Sequence, residues 1–258
     1  MADAIRILFI SGEVAPFTEE NGLSHLVRNL PEQIHNTGSF QTRIMMPRYG
    51  TISERRNRLH EVIRLSGTEV EMGEESHTLK VKVASIPGIR LQVYFMDNTH
   101  YFKRKGILAD RDAKPFSDNG ERALFFGRGC LETIKNLGWA PDIIHAFGWA
   151  GSLVPLVLRS EFGSDPLFEN SKCIYTPDDV DPSALMDEEM ASQFGLDVDK
   201  ELIGGDLCQV GLAYADGIAY PSHIDPSTPD VPQFSMDLDE IRDLGCELYE
   251  QVCSDVAV

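Results

Sequence analysis

Continuous apolar runs alternate with helical patterns along most of the chain. The runs predict strands, and several are apolar throughout, which is typical of strands buried on both faces of a parallel sheet. They lie at 5–11, 42–47, 91–97, 142–148, 173–176 and 217–222. Apolar residues spaced three and four apart predict helices between them, with Pro31 expected to break or kink the first. These helices are predicted at 22–37, 119–137, 149–162 and about 200–214.

Residues 59–95 follow a different pattern. Short stretches of alternating apolar and polar residues are separated by glycine and proline turn signals, which predicts a small antiparallel excursion. The whole pattern predicts an α/β domain with a doubly wound, mostly parallel sheet. Ligands of such sheets bind beyond the carboxyl ends of the strands, so the loops that follow the strands are the first candidates for a site.

The C-terminal part of the chain is predicted to be a separate element. Residues 225–234 contain three prolines and predict a linker. After it, one stripe of a predicted helix over 236–253 carries Leu238, Ile241, Leu244, Leu248 and Val252. An isolated helix of this length is marginal in water. We therefore expect residues 235–258 to pack back on a domain formed by residues 1–224.

The charge of the chain argues against two classes of partner. The net charge is −18, and most of it comes from 178–206, with ten acids and one lysine, and from 226–258, with eight acids and one arginine. Such a protein repels nucleic acid and anionic membranes, so neither is expected as a partner. No apolar run reaches the roughly 18 residues of a membrane span, and the N-terminus lacks a signal-peptide pattern, so a cytoplasmic location is expected.

The cysteines do not predict a metal site. The chain has five, at irregular positions, without a CxxC pair or the Cys/His spacing of a zinc finger. Reduced, buried thiols are the expected state. We predict neither a metal nor a cofactor.

Several post-strand loops resemble one family when they are taken together. The blocks are "ILFISGEVAPF", "MMPRYG", "VYFMDNTHYF", "FSDNGERALFF", "LGWAPDIIHAFGWAGSLVPL" and "DLCQVGLAYADGIAYPS". In this order they are similar to the opening of bacterial glycogen and starch synthases, over about residues 5–224. The resemblance implies one Rossmann-like half of a GT-B glycosyltransferase. In that family the first domain holds the acceptor glucan, and the second, which would begin where this chain ends, holds most of the ADP-glucose.

The resemblance also shows where the chain departs from the family. In the family loop after the first strand, a lysine and paired glycines approach the phosphates of the sugar nucleotide. Here Glu19 and Glu20 precede Asn21, Gly22 remains, and His25 replaces an acid. At an effective dielectric constant of about 20, like charges about 4 Å apart repel by about 4 kcal/mol. We therefore expect no binding of ADP-glucose at this loop.

Two further motifs also lack residues of the family pattern. The family sequence His-Ala-His-Asp-Trp reads "HAFGW", with Phe147 in place of the second histidine, and His145 and Trp149 are expected to be packing residues. The family pair His-Asn reads Asp178-Asp179, for which a solvated acidic turn is favoured over acid–base or metal chemistry.

The acceptor side is better preserved. Tyr101, Asn119 and Trp149, together with Gly22, are therefore the predicted substrate-binding residues, and a maltooligosaccharide or glucan is the expected ligand. We predict a glycogen/starch synthase-like domain that lacks glucosyltransferase activity on its own and acts in binding or regulation, with a protein partner. Two alternatives stay open. One is an active half-enzyme completed by a partner chain, and the other is different chemistry that uses Asp178, Asp179 and His25.

Overall fold

The computed structural model describes residues 4–226 and 230–254. Its strands are β1 Ile5–Ser11, β2 Phe40–Pro47, β3 His60–Glu61, β4 Thr68–Met72, β5 Glu75–Ser85, β6 Gln92–Asp97, β7 Ile143–Phe147, β8 Lys172–Thr176 and β9 Gly217–Ile218. Its α-helices are α1 Gly22–Asn36, α2 Glu54–Asn57, α3 Thr99–Phe102, α4 Asn119–Leu137, α5 Gly148–Gly151, α6 Val154–Val157, α7 Glu188–Phe194, α8 Leu207–Tyr214 and α9 Leu238–Ser254.

The strands form one mixed sheet in the order β3-β5-β6-β2-β1-β7-β8-β9, with β4 paired to β5. In the stretch β6-β2-β1-β7-β8-β9 each strand is parallel to its neighbours, whereas β5 pairs antiparallel with β6, β3 and β4. The predicted α/β class, with a mostly parallel sheet and an antiparallel excursion, is confirmed. The strand order reverses between β1 and β7, and this switch point is where ligands of such sheets bind.

Helix α1 differs from its prediction because Pro31 does not break it. The helix continues from Gly22 to Asn36 with Pro31 inside. A proline in a helix interior costs about 3 kcal/mol because it removes a hydrogen bond and crowds the preceding turn. Leu26, Leu30 and Ile34 of the same helix are buried in the core, and burying an aliphatic side chain contributes about 1.5–3 kcal/mol. Tertiary packing therefore outweighs the local penalty.

Other predicted elements are shorter than expected. The helix predicted over 149–162 is divided into α5, α6 and a π-helical segment, Leu158–Phe162, because Pro155 has no N–H to continue the ladder from α5. The strand predicted over 217–222 ends at Ile218. The helix predicted over about 200–214 begins only at Leu207, after the 3-10 turn Lys200–Leu202.

Helix α9 packs against α1. Its residue Gly245 faces α1 so closely that an added Cβ would lie 2.6 Å from Cδ1 of Leu30. Tyr249 of α9 is fully buried, whereas Leu238, at the start of the predicted stripe, is 46% exposed. Before α9, the backbone N–H of Phe234 donates to the carbonyl of Tyr220 at 2.8 Å. The division of the chain at 225–234 stays a prediction, and residues 227–229 and 255–258 lie outside the described part.

No helix within residues 4–226 and 230–254 is long and apolar enough to cross a membrane.

Candidate functional site

The loop after β1 lies at the switch point of the sheet, and its geometry depends on Asn21. The Asn21 side chain caps α1 by accepting a hydrogen bond from the backbone N–H of Ser24 at 2.7 Å. The Asn21 amide also donates to Oε2 of Glu13 at 2.5 Å. Burial raises the pKa of the Glu13 carboxyl, the Asn21 hydrogen bond lowers it, and the charge of Glu19 raises it further. Sequence reasoning missed Glu13, although it lies in the quoted "SGEVAPF" block.

The predicted residues Glu19, Glu20 and His25 lie at this same edge of the molecule. Both glutamates are exposed to solvent. The Nε2 atom of His25 is 3.6 Å from Oε2 of Glu20, and both side chains are at least one-third exposed. The loop therefore presents carboxylates to solvent at the position where the family resemblance implies phosphate contacts.

Gly22, which begins α1, is covered by the imidazole of His223. A Cβ added at Gly22 would lie 2.8 Å from Nδ1 of His223, so a larger residue there would have to displace the imidazole. His223 lies in a turn in which the N–H of Ile224 donates to the carbonyl of Pro221 at 3.2 Å. Sequence reasoning missed His223, because no local pattern indicates that a turn after the last strand reaches the start of the first helix.

Asp178 and Asp179 follow β8 and meet His223 at the switch point. The Nε2 atom of His223 is 3.9 Å from Oδ1 of Asp178 and 3.8 Å from Oδ1 of Asp179. The Asp179 side chain is 69% exposed, but that of Asp178 is only 4% exposed. The expected solvated turn therefore describes Asp179 and not Asp178.

Several features surround the Asp178 carboxyl. A Cβ added at Gly148 would lie 3.3 Å from Oδ2 of Asp178, so glycine at that position makes room for the carboxylate. Burial, followed by the charge of Glu13 and a hydrogen bond with Asp179, raises the pKa of Asp178 to about 7. Asp178 is consequently a buried carboxyl in an acidic environment.

The neighbouring "HAFGW" motif is part of the core. Phe147 is fully buried and stacks on His145, with ring centroids 4.0 Å apart. The two ring nitrogens of His145 hydrogen-bond to the hydroxyl of Tyr249 at 2.7 Å and to that of Thr176 at 2.9 Å. Burial holds the pKa of His145 well below its usual value, so the ring is neutral. Through these contacts His145 connects the sheet to α9.

The predicted acceptor residues are held together by the buried side chain of Arg122. Its Nε donates to the carbonyl of Tyr101 at 2.9 Å and its Nη1 to Oδ1 of Asn119 at 2.6 Å, while its guanidinium lies over the Trp149 ring at 5.4 Å. All three side chains are buried. Tyr101 lies in the wall of a cavity of about 580 Å³, which His77, His100 and Glu121 also line. The binding roles of Tyr101, Asn119 and Trp149 stay predictions.

Comparison with known proteins identifies the family. A family model described as "Starch synthase catalytic domain" matches residues 6–219. The chain belongs to this family. Glycogen synthase of Chlorobium phaeobacteroides is 42% identical over 172 residues, which is 66% of this chain and 35% of that protein. Glycogen synthase of Chlorobaculum parvum is 35% identical over 220 residues, which is 82% of this chain and 44% of that protein.

The solved structures include a starch synthase with the same fold. The catalytic domain of starch synthase IV from Arabidopsis thaliana, bound to ADP and acarbose, gives a TM-score of 0.69 at 20% identity, and the match covers 84% of this chain and 45% of that chain. This chain thus spans less than half the length of these starch and glycogen synthases. The residues that match the starch synthase model include every predicted site residue but end before His223.

Proposed function

We propose that this starch synthase-like catalytic domain does not transfer glucose from a sugar nucleotide on its own and that it acts as a glucan-binding or regulatory domain. The observation that carries the proposal is the imidazole of His223, which packs on Gly22 where the family resemblance implies a diphosphate contact. A phosphate on that face of Gly22 would have to displace the ring.

The charges at the switch point support the same conclusion. A diphosphate leaving group needs fixed positive charge or free backbone N–H groups. Here the loops after β1 and β8 carry the buried carboxyl of Asp178 and the exposed carboxylates of Glu19 and Asp179 instead. The Asn21 side chain already accepts the hydrogen bond of one N–H in the first turn of α1. Repulsion and the occupied helix terminus both disfavour a sugar nucleotide.

The cavity beside Tyr101 supports the glucan part of the proposal. The ring of His100 stacks on that of His77, with centroids 5.0 Å apart, and meets Tyr101 edge-on at 4.7 Å. Glu121 and Gln193 add polar groups to the cavity wall. Aromatic faces with polar groups beside them suit a neutral sugar, which requires no positive charge.

The test of the missing activity is incorporation of labelled ADP-glucose and UDP-glucose into glycogen by the 258-residue chain, in the presence of a metal chelator. We expect no incorporation, and calorimetry with ADP-glucose is expected to give no binding heat. The variant Glu19→Lys/Glu20→Thr should increase any residual affinity, because it replaces two negative charges with one positive charge. Asn21 is left unchanged in this variant since it caps α1. A micromolar dissociation constant that is lost when this loop is mutated would contradict the proposal.

The test of glucan binding is saturation-transfer NMR with maltoheptaose. We expect a signal from the unmodified chain and its loss in His100→Ala, which removes a cavity wall. His60→Ala is the matched control, because His60 lines a different cavity. If the unmodified chain gives no signal at millimolar sugar, or if both variants lose it equally, the glucan site is not beside Tyr101.

A further inference from the structure

We propose that Asp178, Asp179 and His223 form a binding site for one divalent transition-metal cation of the Mn²⁺ or Zn²⁺ class. The site is assembled by the loop after β8 and the turn after β9, at the switch point of the sheet. The proposed function requires no metal cation, so either proposal can fail without the other.

The spacing of the three side chains suits a single cation. Nε2 of His223 and one carboxylate oxygen from each aspartate all lie within 4.8 Å of one another. The two distances from His223 Nε2 are 3.9 Å and 3.8 Å. A cation about 2.1 Å from each ligand atom spans at most about 4.2 Å between two of them, so both distances already fall inside that limit.

The imidazole of His223 lies against the start of the neighbouring helix α1. Its Nδ1 side packs against Gly22, where an added Cβ would lie only 2.8 Å away. Nε2, the other ring nitrogen, is thereby directed at the two carboxylates. A metal on Nε2 would need this ring orientation to be kept, as it is for metal-ligating histidines in general.

The burial of Asp178 is a second observation that points to a cation. Its side chain is 4% exposed. Within the described ranges, the hydrogen-bond donor that reaches it is the backbone N–H of Asp179, at 2.8 Å from Oδ1. No lysine or arginine of those ranges forms an ion pair with it, and the single histidine partner is His223. A buried carboxylate is costly unless it takes up a proton, is paired or coordinates a metal, and a cation here would offset that cost.

The donor atoms select the class of cation. One imidazole nitrogen with two carboxylate oxygens is a set that first-row transition metals accept, whereas Mg²⁺ and Ca²⁺ prefer oxygen ligands alone. Mn²⁺ is the better first probe, because carboxylate ligands suit it and because free thiols, of which the chain has five, compete for Zn²⁺.

The experiment titrates the full chain, freed of metal with a chelator, with Mn²⁺ and follows free Mn²⁺ by electron paramagnetic resonance. We expect one bound Mn²⁺ per chain and its displacement by Zn²⁺, which binds such sites more tightly. The variants Asp178→Asn and His223→Gln should each weaken binding at least about tenfold. His77→Gln is the matched control, since His77 also faces a carboxylate, with Nε2 3.5 Å from Oε2 of Glu75.

Folding of each variant is checked by thermal melting, in which Mn²⁺ should raise the melting temperature of the unmodified chain and of His77→Gln but not of Asp178→Asn or His223→Gln. Two results would overturn the proposal. One is the absence of stoichiometric Mn²⁺ binding by the unmodified chain, and the other is equal binding by folded Asp178→Asn, His223→Gln and the control.

Discussion

The substitution Tyr249→Phe tests how α9 is attached to the sheet. The Tyr249 hydroxyl lies 2.7 Å from Nδ1 of His145, and both side chains are fully buried. Phenylalanine keeps the aromatic ring, including its edge-on contact with Phe9 at 6.2 Å, so the change removes little besides the hydroxyl. One imidazole nitrogen then stays buried without a partner, which costs about 1–3 kcal/mol. For a domain of this size, about 2 kcal/mol lowers the melting temperature by about 4–8 °C.

The assay is thermal melting followed by circular dichroism, with urea unfolding to measure the free energy directly. The control is Tyr220→Phe, because Tyr220 is only partly buried and its hydroxyl has no hydrogen bond to a described residue. A melting temperature of Tyr249→Phe equal to that of the control would refute the reasoning. It would mean either that α9 does not dock through Tyr249 or that water satisfies His145.

Three further predictions concern the same region. Gly245→Ala should lower the free energy of unfolding by about 1–3 kcal/mol in urea, because the new Cβ would lie 2.6 Å from Cδ1 of Leu30. Alanine stabilises an unconstrained helix, so a gain of stability would contradict this prediction. Deletion of 235–258 should cause aggregation, measured by light scattering, since burial of Ile241 and Leu248 stabilises the fold by about 1.5–3 kcal/mol each. A truncated protein that stays monodisperse would show that α9 does not dock on the domain. Stability should fall as the pH decreases below about 6.5, by up to about 1.4 kcal/mol per pH unit, because His145 takes up a proton when unfolded but not when folded. Urea unfolding of the unmodified chain and His145→Gln at several pH values measures the last effect, and equal slopes would show that His145 is not responsible.

The sequence alone determined the elements with strong local signals. The apolar run of β1 was predicted with its exact bounds, because burial on both faces of the sheet leaves a continuous apolar run, and α4 was predicted with its exact bounds as well. The motif order also indicated the starch synthase family. These properties depend on residues that are close together in the chain.

Tertiary structure decided the rest, because it depends on contacts between distant residues. Pro31 is tolerated because α1 is packed into the core, and His145 forms a hydrogen bond with Tyr249, about a hundred positions later. The imidazole of His223 reaches Gly22 and the aspartates after β8 only once the parallel strands have assembled. Asp178 looks like a solvated acid in the sequence, since local charge does not reveal burial. Its environment is set by the sheet, by Gly148 and by the turn that carries His223.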